Sequence, residues 1–70
     1  MTLEILWING MRREADRQAI LTAVRALSGV RRATANLADR TLRVEREDAL
    51  GLAAILAAIQ DVGYRAAALA

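Results

Sequence analysis

The stretch that decides the fold is Thr2–Asn9, which reads TLEILWIN. One alternating set of positions holds Leu3, Ile5 and Trp7, and the other holds Glu4, Leu6 and Ile8. Successive side chains of a strand point to opposite faces of the sheet. Apolar residues in both sets therefore predict a strand in the middle of a sheet, with a neighbour on each side.

Five further elements follow this strand. Apolar residues at helical spacing predict two helices, and shorter alternating stretches predict strands. Gly29 and Gly63 each follow a helical pattern, as glycine does at helix C-termini. We expect a helix over 13–27, strands over 30–37 and 41–46 joined by a turn at 38–40, a helix from about 49–52 to 61, and a last strand over 64–69.

The order βαββαβ predicts the fold class. Two β-α-β halves joined by a hairpin make an α+β protein, a ferredoxin-like sandwich in which both helices cover one face of a four-stranded antiparallel sheet. The strand order would be 4-1-3-2, which puts the first strand in the centre. A single domain over residues 1–70 is expected.

The composition indicates a binding protein. The 70 residues include no cysteine and no histidine, and the only serine, Ser28, lies at a helix end, so nucleophile–base catalysis and zinc fingers are excluded. The net charge of +2 is low for a protein that binds nucleic acid. No stretch approaches the roughly 20 apolar residues of a membrane span, and the N-terminus lacks a basic region that would indicate a signal peptide. We expect no enzyme activity, no cofactor, no membrane insertion and a cytoplasmic location.

Several short motifs occur in the order of a known family. Gly10-Met11 follows the first strand, Gly29-Val30 the first helix, Ala35-Asn36-Leu37 lies in the second strand, and Gly63-Tyr64 follows the second helix. In this order and spacing, over nearly the whole chain, the sequence resembles the heavy-metal-associated, copper-chaperone-like domains. The resemblance implies the same ferredoxin-like fold. It also implies that such domains dock onto a metal-transporting ATPase or a related domain, or onto each other.

The departure from the family lies at its two metal-binding cysteines, whose positions hold Arg13 and Asp16. Arginine stays protonated and offers no lone pair to a metal, so soft-metal binding does not carry over. The spacing of three residues at a helix start permits an Arg13–Asp16 ion pair in place of the metal. Two separate solvated charges are the alternative. By the family pattern Met11 turns inward and closes the end of the core.

Residual ion handling by the 11–16 loop is a second hypothesis. Carboxylates of Glu14, Asp16 and Asp39 would lie near one another at this end of the fold, and oxygen ligands suit hard cations. The spacing matches no known cation-binding loop, however, and Arg12, Arg13 and Arg40 would repel a cation. We therefore expect no metal site here.

The uncovered face of the sheet is the predicted partner-binding surface. Alternation assigns Leu3, Ile5 and Trp7 to it, with Arg32 and Arg43 on the neighbouring strands. A contiguous exposed apolar row is typical of an interaction site, so we expect a protein partner or self-association. Two other interpretations stay open. Arginine stems and the chain termini could cover the row, or Trp7 with the two arginines could stack an RNA base, although one aromatic residue is few for this.

Overall fold

The computed structural model describes residues 1–69 and leaves Ala70, the last residue of the predicted domain, outside the described part. Its elements are β1 Thr2–Asn9, α1 Glu14–Arg25, β2 Val30–Asn36, β3 Thr41–Arg46, α2 Leu52–Asp61 and β4 Arg65–Ala68. The four strands form one antiparallel sheet in the order β2-β3-β1-β4. The predicted α+β, ferredoxin-like fold with order 4-1-3-2 is therefore confirmed.

The first helix is shorter at both ends than the predicted 13–27. Arg13 is extended, with φ −123° and ψ 164°, and acts as the N-cap. At the other end the backbone N–H of Leu27 donates to the backbone oxygen of Val24, three residues earlier, and not to a residue four positions earlier as in an α-helix. Gly29 then turns the chain with φ +100°, a conformation that suits glycine. A Cβ atom at Gly29 would lie 3.0 Å from the Cβ of Leu50, so the position also requires a small residue.

The core lies between the sheet and the two helices. It comprises Leu6, Ile8, Met11, Ile20, Leu21, Val24, Ala33, Leu42, Val44, Ile55 and Ile59. The helix-facing set of β1 thus includes Leu6 and Ile8, as alternation predicts. The part of the chain that the structure describes holds no helix long and apolar enough to cross a membrane.

A charged pair lies at the edge of this core. Glu4 belongs to the same helix-facing set of β1 and is only 8% exposed. Its carboxylate accepts hydrogen bonds from Nε and Nη2 of Arg46 at 3.0 and 2.9 Å. Arg46 also donates from Nη1 to the backbone oxygen of Leu50 at 2.8 Å. The pair therefore joins β1, β3 and the segment before α2.

Candidate functional site

The loop between β1 and α1 is where the family places its metal. Gly10 has φ +94°, and a Cβ atom there would lie 3.4 Å from the ring of Tyr64. Tyr64 therefore packs over the start of the loop. Met11 is fully buried in the core, as its family pattern implies. Its thioether is consequently turned away from the surface that would hold a metal ion.

Asp16 organises this loop through its carboxylate. One oxygen accepts the backbone N–H groups of Arg12 and Arg13, at 3.1 and 3.0 Å. The other oxygen accepts the hydroxyl of Tyr64 at 2.5 Å. The Tyr64 hydrogen bond and then the two backbone N–H groups lower the pKa of Asp16. The same hydrogen bond, followed by burial, raises the pKa of Tyr64.

The predicted Arg13–Asp16 ion pair is wrong. The salt bridges among residues 1–69 do not include one between Arg13 and Asp16. The physical reason is that the carboxylate is held by backbone donors at the helix N-terminus, which satisfy it without a cation. Arg13 itself is exposed. Solvation of both charges, the alternative, does not describe Asp16 either, since three donors surround it.

The other two carboxylates near this loop also have local partners. Glu14 accepts from Nε of Arg17 and Nε2 of Gln18, both at 2.9 Å. Arg17, and then Gln18, lower the pKa of Glu14 to about 2. Asp39 accepts from the backbone N–H and the hydroxyl of Thr41, at 3.1 and 2.5 Å. Among the described residues no group of three His, Cys, Asp or Glu side chains could hold a metal ion.

The donor set of this loop therefore does not fit a soft metal. A Cu(I) or Zn(II) site of this family type needs two thiolates on an accessible loop. Here an arginine and a hydrogen-bonded aspartate occupy those positions, and the only nearby sulfur is buried. In this loop Asp16 ties the helix start to Tyr64.

The open face is the side of the sheet that the helices do not cover. The structure places Leu3, Ile5 and Trp7 on it in the middle of the sheet, with Leu3 47% and Trp7 38% exposed and Ile5 partly buried. Across β3 these residues lie opposite Glu45, Arg43 and Thr41 in that order. Chain termini and arginine stems therefore leave part of the row open to solvent.

Three further apolar residues extend this row. Ala67 lies opposite Trp7 on β4. Leu69, 58% exposed, donates its backbone N–H to Ile5, and Met1 is 65% exposed at the other end of β1. The contribution of Ala67 and Leu69 depends on the register of β4, which the sequence of a short alanine-rich strand does not specify.

Polar residues of β2 and β3 border the apolar row. Arg32 lies directly opposite Glu45, and Thr34 opposite Arg43. Neither Arg32, Arg43 nor Glu45 takes part in a salt bridge with another described residue. Together with Met1, Thr2 and Leu3 these four side chains line a depression of about 470 Å³. The open face thus combines exposed apolar area, unpaired charges and a concave region.

Comparison with known proteins gives matches at the level of structure. No protein-family model matches the chain, and no curated protein does. Among solved structures, the CopZ metallochaperone is 28% identical with a TM-score of 0.90, over 94% of this chain and 100% of that one. The yeast copper transporter domain CCC2A is 28% identical with a TM-score of 0.91, over 99% and 96%. A copper binding domain from HMA7, a P-type ATPase, shares the fold with a TM-score of 0.95 at 24% identity, over 100% and 96%.

These neighbours are metallochaperone and metal-binding domains, not enzymes. The resemblance to the heavy-metal-associated, copper-chaperone-like domains is thereby confirmed. The chain has the fold of these domains and contains no cysteine, as a degenerate domain of this type would.

Proposed function

We propose that this chain is a non-catalytic binding module of the cytoplasm, a degenerate heavy-metal-associated-like domain that has lost soft-metal binding and acts in protein–protein recognition. The recognition is self-association or docking to a metal-transport partner. The observation that carries the proposal is the open face, where Leu3, Ile5 and Trp7 form a contiguous apolar row in the centre of the sheet. Exposed patches of this kind mark interaction sites, and Trp and Arg are enriched among residues that dominate binding.

The altered loop supports the same proposal. Replacement of both thiolates removes the chemistry for soft-metal transfer, while Asp16 and Tyr64 keep the loop folded.

The neighbours support a particular class of partner. One is a metallochaperone, one a domain of a copper transporter and one a domain of a P-type ATPase. We infer that a metal-transporting ATPase or a related domain is a candidate partner for this chain. Its arginines at the border of the open face, Arg32 and Arg43, would then meet acidic groups of that partner.

Capture experiments with matched variants test this function. The natural chain, Trp7→Ala and the control Val62→Ala are immobilised, and proteins bound from an extract of the source cell are identified and then titrated as purified proteins. Val62 is also an exposed apolar residue, 42% exposed, but follows α2 instead of lying on the open face. We expect Trp7→Ala to weaken binding at least about tenfold and Val62→Ala to leave it unchanged.

Two results would contradict the proposal. Equal binding by the natural chain and Trp7→Ala would show that the open face is not the recognition surface. Global unfolding of Trp7→Ala, measured by circular dichroism, would show that Trp7 stabilises the core. Trp7 would then not belong to the recognition surface.

Residual ion handling by the 11–16 loop is the alternative function, and the structure gives no observation in its favour. Equilibrium dialysis of the natural chain and Asp16→Ala against first-row metals distinguishes the two. Uptake of one ion per chain that is lost in Asp16→Ala would replace the proposed function with this alternative.

A further inference from the structure

The open face carries a positive and a negative group side by side on one strand. Arg43 and Glu45 are two residues apart on β3, so both side chains point to the same face. Arg43 lies opposite Ile5 and Glu45 opposite Leu3 on β1. The face therefore has two adjacent cross-strand pairs, Ile5 with Arg43 and Leu3 with Glu45.

We propose, building on the recognition function above, that the occupant of the open face is a second copy of this chain. The two copies would be related by a two-fold axis that runs parallel to the sheet and perpendicular to its strands, above Glu4 and Val44. This axis passes between the two cross-strand pairs. Rotation about this axis places each cross-strand pair of one copy over the other cross-strand pair of the second copy. Arg43 of one protomer then faces Glu45 of its partner, and Ile5 faces Leu3, with every contact made twice as in an isologous interface.

The same rotation assigns a site to Trp7. Positions 7 and 1 are equidistant from the axis at position 4 of β1, so Trp7 of one protomer lies over Met1 of its partner. The depression of about 470 Å³ begins beside Met1 and Leu3. An aromatic side chain seated in such a pocket is typical of an interface anchor.

Charge complementarity and the available area both support a second copy as the occupant. Arg32 lies opposite Glu45 within one chain, so each Glu45 would lie between an arginine of its own chain and Arg43 of the partner. The chain exposes 4216 Å² in all, and a typical interface takes about 800 Å² per partner, about a fifth of this. One broad face of a molecule measuring 31 × 21 × 16 Å can provide an area of that order.

Complementary charge reversals test the arrangement by sedimentation velocity. Arg43→Glu alone would oppose two carboxylates at both equivalent contacts, and Glu45→Arg alone would oppose two guanidinium groups. An equimolar mixture of the two variants would regain one opposite-charge pair at each contact. We expect the natural chain to dimerise, each single variant to dimerise at least about tenfold more weakly, and the mixture to form heterodimers again.

Arg31→Glu is the matched control for Arg43→Glu, because it makes the same change of net charge at the β2 bulge and disturbs only an exposed contact with Glu47. Circular dichroism verifies that every variant is folded.

A natural chain that stays monomeric up to about 1 mM would overturn self-association, and single variants that dimerise normally would overturn the assigned contacts. If such a monomer still binds another protein through Trp7, the recognition function stands and only the second copy is wrong. If no Trp7-dependent binding exists, both are wrong.

Discussion

At the scale of single residues, Glu4 and Arg46 carry a large expected effect on stability. Their side chains are only 10% and 15% exposed and 2.9 Å apart. Removing one member of a buried pair leaves a charge in an apolar environment without compensation, whereas replacing both by apolar residues of similar size is often neutral. Loss of either charge alone is therefore expected to destabilise the contact between β1 and β3.

We expect Arg46→Met to lower the free energy of unfolding by about 3 kcal/mol. The double variant Glu4→Leu/Arg46→Met should recover most of this loss, because no buried charge remains. Urea titration of the natural chain, Glu4→Leu, Arg46→Met and the double variant measures the cycle. A single variant that is as stable as the natural chain would show that solvent reaches Glu4 and that the pair is not buried.

Asp16 gives a pH dependence of definite sign. Its pKa is lowered in the folded chain by Tyr64 and by two backbone N–H groups. A lowered folded-state pKa means that the stabilisation is complete above the unfolded pKa, about 4, and is lost as the pH falls through the lower folded value. The carboxylate thus stabilises the loop at neutral pH and ceases to do so in acid.

We expect Asp16→Ala to be less stable than the natural chain at about pH 7, and the difference to shrink as the pH falls below about 4. Thermal unfolding at a series of pH values measures this difference. Glu14, whose pKa is lowered to about 2, is present in both proteins, so its contribution cancels in the stability difference between them. A difference that stays constant down to about pH 2 would mean that the hydrogen bonds to Asp16 do not depend on its charge.

At the scale of elements, the ends of the helices are determined by particular residues. The turn after α1 needs a left-handed residue at Gly29, and Leu50 leaves no room for a side chain. Before α2, Gly51 has an ordinary φ of −74°, and a Cβ atom there meets nothing within 4 Å. The two glycines therefore tolerate substitution to different degrees.

We expect Gly29→Ala to lower the free energy of unfolding by more than about 1 kcal/mol, since alanine is strained at positive φ and would press against Leu50. Gly51→Ala should change it by less than about 0.5 kcal/mol. Urea titration compares the two substitutions directly. Equal effects would show that the turn after α1 can relax without cost.

Patterns along the chain predict the elements and their order, because they depend on local chemistry. The two-sided apolar pattern of β1 predicts its central position, and Gly29 and Gly63 predict where the helices end. The pattern does not predict which charged groups meet. Asp16 and Tyr64 are 48 residues apart, and Glu4 and Arg46 are 42 apart, so both contacts depend on the tertiary arrangement. For the same reason the Arg13–Asp16 pair, inferred from local spacing, is wrong.

At the scale of the whole molecule, one face of the sheet is committed to the core and the other to solvent. The helix-facing set of β1 is buried, whereas its opposite set forms the open face. The loop after β1 is held by hydrogen bonds to Asp16, whereas the sheet face opposite the helices stays open. We therefore propose that the sheet face, and not the loop, is the recognition surface.

The fluorescence of Trp7 reports on the open face itself, because Trp7 is the only tryptophan of the chain and lies on that face, 38% exposed. Its emission is recorded while the chain is concentrated alone and while a purified partner is added, with association followed in parallel by sedimentation. We expect the emission to shift to shorter wavelength as complexes form, because Trp7 leaves water. Association without any change in the emission would place the interface elsewhere and rule out the open face as the recognition surface.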